Sequence, residues 1–61
     1  MATWKEKLVK IKHHWEEHLQ EHAEEFQKWA NNLEEEGEKE SAEKLRQAAE
    51  LLLKVKETLP S

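Results

Sequence analysis

Apolar and aromatic side chains recur along the first half of the chain at Trp4, Leu8, Ile11, Trp15, Leu19, Phe26, Trp29 and Leu33, mostly three or four residues apart. That is the period of a helix face, and it predicts one long helix. Thr3 is placed to cap its start, with Glu6 three residues on to complete a capping box. Gly37 supplies the stop, because glycine tolerates the left-handed backbone that follows a helix end. The helix is therefore expected over about residues 3–36, roughly 50 Å. Asn31-Asn32 offers an earlier end. After a turn at about 37–38, a second helix is expected over about residues 38–59. Glu38 and Glu40 stand in its first turn, Lys54 and Lys56 near its last, an order that suits the helix dipole. Pro60 ends it.

Each helix carries more apolar surface than one neighbour can cover. The second has a core stripe of Leu45, Ala48, Ala49, Leu52, Val55 and Leu59, flanked by Leu51 and Leu53, an arc of about 200° at 100° per residue. The first has two edges. Leu19, Ala23, Phe26, Ala30 and Leu33 form one, whose alanines allow close approach, and it is assigned to the chain's own second helix. The other holds Trp4, Ile11, His18, His22 and Trp29. A hairpin cannot bury both, and exposed tryptophans on one edge would make a large apolar patch. The expected fold class is all-α: one domain over residues 1–61, an antiparallel helical hairpin that pairs with a second copy as a four-helix bundle. Its interface would use Trp4, Leu8, Ile11, Trp15, Trp29, Leu51 and Leu53.

Composition narrows the classes. The chain has 61 residues, 39% of them charged, no cysteine, one glycine and one proline. A disulfide scaffold is excluded, and turn residues are too few for a multi-stranded sheet. No apolar run approaches the roughly 20 residues of a membrane span, and no signal-peptide pattern opens the chain. The net charge of −4 is unevenly spread. Residues 1–12 sum to +3, residues 13–43 to −9 and residues 44–61 to +2. The acidic middle argues against nucleic acid, and the basic start is too short to imply a membrane surface. Within a hairpin, the Lys5 and Lys7 end would lie near Lys54 and Lys56, and Glu34, Glu35 and Glu36 near Glu38 and Glu40. Both contacts are repulsive. An antiparallel pair of first helices from two chains would instead match basic end to acidic end.

All four histidines fall between residues 13 and 22. His13 points away from the stripe. His14, His18 and His22 form a ladder at i, i+4, i+8. Neighbours in that ladder could reach one metal ion from one helix face. All three could not, since His14 and His22 are roughly 12 Å apart along the axis. One chain thus offers His18 and His22, with His14 secondary and Glu21 or Glu25 as outer partners. A dimer whose axis passes near Gln20 would supply four imidazoles, enough for tetrahedral zinc. The ordinary alternative is a set of solvated histidines paired with Glu17, Glu21 and Glu25. His14–His18 and His18–His22 also match the H-x-x-E-H pattern of inverted zinc proteases. The chain has no second lobe to build a cleft, so no enzyme is expected, although a zinc with an open position could hydrolyse activated esters.

The stretch Ser41-Ala42-Glu43-Lys44-Leu45-Arg46-Gln47-Ala48-Ala49-Glu50-Leu51-Leu52-Leu53-Lys54 uses almost only strong helix formers. In this the second half resembles de novo designed helical-bundle proteins. The His- and Trp-rich first helix departs from that composition. The resemblance implies that helix one carries the function. Three readings follow: a self-associating hairpin with a zinc site at its interface, a module that docks a target protein through its tryptophans, or a purely structural bundle.

Overall fold

The computed structural model describes residues 3–60. It is an all-α helical hairpin of two helices, α1 (Trp4–Glu35) and α2 (Lys39–Thr58). Thr3 caps α1 from an extended backbone, and its Oγ1 accepts a hydrogen bond from the Glu6 amide at 3.1 Å. The helix runs through Asn31-Asn32 and closes at Gly37, whose φ is +86°. The Glu38 amide donates to the Leu33 carbonyl at 2.9 Å, and the Gly37 amide to the Glu34 carbonyl at 3.0 Å. These two reversed bonds occupy carbonyls that the helix end would leave free, so the chain turns sharply. Ser41 lies in the first turn of α2.

The helices meet along a seam with a seven-residue repeat. On α1 the seam is Glu16, Leu19, Ala23, Phe26, Ala30 and Leu33, buried or half-buried, with Gln20 beside it and Leu8 and Lys12 half-buried nearer the start; on α2 and just past its end it is Ala42, Leu45, Ala49, Leu52, Lys56 and Leu59, with Arg46 and Ala48 half-buried beside it. Separations alternate between three and four, which keeps a seam facing its partner along the whole length. Ala23 is 3% exposed, and Ala30, Ala42 and Ala49 are fully buried. Among the described residues no large side chain is fully buried. Alanine opposite a larger residue lets the helices approach closely.

Two cross-links fix the register. Arg46 donates to Glu34 at 2.9 Å and to Asn31 at 3.2 Å near the turn. Lys56 donates to Gln20 Oε1 at 3.1 Å near the open end. Leu59 lies in one groove with Trp15 and Leu19. Since α1 has 32 residues and α2 has 20, the first three turns of α1 project beyond α2. The long axis of the molecule is 54 Å.

This register corrects three expectations. Lys54 and Lys56 do not crowd Lys5 and Lys7, because α2 stops short of them and Lys56 sits opposite Gln20. Val55 is 47% exposed and lies off the seam. Its place is taken by Lys56, whose stem covers apolar surface while its ammonium reaches Gln20. Ala42, absent from the expected stripe, belongs to the core. At the turn, the expected crowding of glutamates is relieved by the Arg46 link to Glu34. The assignment of Leu19, Ala23, Phe26, Ala30 and Leu33 to the intra-hairpin contact agrees with their burial.

Candidate functional site

A second stripe runs beside the seam on α1. Trp4, Leu8, Ile11, Trp15, His18, His22, Glu25 and Trp29 are spaced by alternating fours and threes, the same repeat displaced to one side. Helix α2 does not cover it. Trp4 is 83%, Trp15 42% and Trp29 59% exposed. Leu8 alone of these is half-buried.

Helix geometry tells which α2 residues share this side. In an antiparallel pair, residues displaced in the same rotational sense from the two seams fall on one side of the hairpin. The Arg46 link to Glu34 and Asn31 marks one side, together with Gln20, His13 and Leu53. The tryptophans mark the other, with Ala48, Val55 and Leu59. Leu51, 60% exposed, stands at the outer edge of that aromatic side. Leu53, 36% exposed, is on the Arg46 side, so Leu51 and Leu53 do not share one face. The groove of His14, Trp15, His18, Leu19 and Leu59 lies on the aromatic side. A second groove, with His13, Glu16, Glu17, Gln20 and Lys56, lies on the other.

His18 and His22 of the ladder sit in the middle of the aromatic stripe, with His14 beside it. The His14 and His18 rings are 4.6 Å apart between centroids, and those of His18 and His22 are 6.0 Å apart. All four histidines are exposed. His13 is turned away from the ladder and contacts Glu17 at 3.0 Å. Glu21 and Glu25 are exposed and form no hydrogen bond with a ladder histidine among the described residues. Among those residues, no group of three or more His, Cys, Asp or Glu is gathered closely enough to hold a metal ion. A single hairpin therefore presents pairs of imidazoles rather than a complete coordination shell. No described helix is long and apolar enough to cross a membrane.

The Lys7 ammonium stands 4.4 Å from the centre of the Trp4 ring. The projecting end of α1 thus combines exposed rings with a basic margin. The opposite end of the same helix is acidic at Glu34, Glu35 and Glu36. Sequence reasoning missed the Gln20–Lys56 pair and the Arg46 link. The alternating three-four count from Ala42 could have found Lys56, since it selects residue 56 over residue 55.

Fold and surface together define a helical hairpin with one packed seam and one open aromatic face. The chain belongs to the DUF8180 family, a domain of unknown function whose model matches residues 8–61. No curated protein and no solved structure matches the chain.

Proposed function

We propose that this hairpin is an assembly element whose working form is a homodimer, a four-helix bundle closed through the aromatic face. One observation carries the reading: α1 bears two seven-residue stripes, α2 covers one, and the uncovered one holds all three tryptophans. Charge favours a second copy as the occupant. Pairing two α1 helices antiparallel lays the basic start of one chain, where Lys7 flanks the aromatic stripe, along the acidic end of the other, where Glu35 flanks it on the same edge, and the two-fold axis repeats the match. Exposed ion pairs contribute only about 0–1 kcal/mol each, so they select orientation while the aromatic side chains supply affinity. No catalytic role is part of this reading.

Sedimentation equilibrium in the presence of chelator tests it. The expected result is dimer dissociating to monomer as concentration falls through the micromolar range. Trp15→Glu or Trp29→Glu should each weaken association by about 30-fold or more, the scale of an interface hot spot. A folded monomer at all concentrations up to about 100 µM, a chosen test limit, refutes the homodimer. The exposed tryptophans would then favour the second reading, docking on a different protein, since Trp is enriched at such hot spots.

A further inference from the structure

We infer that the dimer axis passes between His18 and His22, so that these residues from two copies close around one zinc-class transition-metal ion. The inference rests on the homodimer reading and adds a register and a ligand to it. In an antiparallel seven-residue seam, the two kinds of stripe position face each other across the interface. Trp4, Ile11, His18 and Glu25 are of one kind, and Leu8, Trp15, His22 and Trp29 of the other. His18 can therefore lie opposite His22 of a second copy. The same register sets Ile11 against Trp29, and Lys7 beside Glu35. Shifting by one repeat would instead set His18 against Trp15 and Lys7 beside Lys28. Lys7 beside Glu35 at each end of the pair thus favours the register that gathers the imidazoles at the axis.

The local geometry suits one ion. With zinc–nitrogen bonds near 2.0–2.1 Å and tetrahedral angles, two coordinated imidazole centroids lie about 5 Å apart. The His18 and His22 rings are 6.0 Å apart, within reach by side-chain rotation on an exposed face. One chain supplies only this pair, since no set of three ligand-type residues is gathered among the described residues. Two copies supply four. His14 lies outside the stripe, beside His18, and is displaced from the axis. His13 faces the opposite side with Glu17. Glu21 and Glu25 flank the ladder and would accept the second ring N–H of a coordinated imidazole.

The test is isothermal titration of the full chain with zinc chloride in a non-chelating buffer, paired with sedimentation equilibrium with and without zinc. The expected stoichiometry is one zinc per two chains, with dimerisation strengthened as zinc rises. His18→Ala and His22→Ala should each weaken binding by more than the roughly 10–100-fold attached to losing an outer partner. His13→Ala should leave it unchanged. Because these side chains are exposed, helicity by circular dichroism should be the same in all three variants. Cobalt should give the intense visible bands of a tetrahedral site. A chain that dimerises but binds no zinc tighter than about 100 µM, a chosen threshold, overturns the metal site and leaves the homodimer standing. One zinc per monomer, or equal losses from His13→Ala and His22→Ala, also overturns the shared site. A chain that stays monomeric with zinc present overturns both.

Discussion

Enlarging a single seam alanine distinguishes close helix packing from loose association. Ala30 is fully buried between α1 and α2. Ala30→Leu adds three carbons at a point where the two backbones are held together by small side chains. If there were room, burying those carbons would stabilise the fold by about 2 kcal/mol, at ~0.8 kcal/mol per carbon. In a filled seam the added volume forces off-rotamer side chains or separation of the helices, at about 1–3 kcal/mol. For a domain of this size that loss lowers Tm by roughly 5–20 °C. Ala30→Gly should also destabilise, by about 1 kcal/mol from helix propensity. Losses in both directions are the signature of a site fitted to alanine. The assay is thermal and urea unfolding followed by circular dichroism, at one fixed chain concentration. Ala48→Leu, at a half-buried position beside the seam, is the control and should change stability by less than about 1 kcal/mol. A higher Tm for Ala30→Leu would refute the close approach of the helices.

Gly37→Ala should lower stability by about 1–2 kcal/mol in urea titrations, entirely through the backbone: φ is +86°, and an added Cβ would meet no atom within 4 Å. A neutral result would mean that the turn is not held left-handed. Arg46→Ala should cost no more than about 1 kcal/mol at low ionic strength, and less in 0.5 M salt (a chosen condition), because Glu34 is half exposed. An unchanged loss at both salt levels would assign its effect to packing of the Arg46 stem. Tryptophan emission should move to shorter wavelength as wild-type chain concentration rises through the dimerisation range. Constant emission across a sedimentation-proven dimer would place the interface elsewhere.

The punctuation of the hairpin was legible because each signal is local. The Thr3 cap and the Gly37 stop depend on a few neighbouring residues and need no partner helix. The two edges of α1 were legible because alanine and tryptophan mark different neighbours: the Ala23 and Ala30 edge is packed, and the Trp4 and Trp29 edge is open. Position along the axis follows from the Gly37 stop by counting: Lys56 stands 19 residues after it, Gln20 17 before it and Lys7 30 before it, so Lys56 meets Gln20, a distinction to which periodicity alone is indifferent. The choice of Val55 over Lys56 erred because hydropathy treats lysine as wholly polar, whereas its aliphatic stem packs. The ladder could be placed on one face from its spacing. Its relation to a second chain is a separate matter, since register between chains is set by surfaces that one sequence does not pair by itself.

The seam also sets an order in which the molecule can form. Its members nearest the turn, Leu33 and Ala42, are close in the chain, and each later layer outward, toward Leu59, adds little loop to those already closed. Such a nested set of contacts has low contact order, and helical folds of this kind form in microseconds to milliseconds. Closure should therefore run as a zipper from Gly37 outward. The zipper runs out of teeth where α2 ends, so the first turns of α1 gain nothing from it and must rely on their own helix propensity. Amide hydrogens there should exchange fastest in the monomer and slow only when another surface lies against Trp4 and Ile11, which makes this segment a built-in reporter of occupancy.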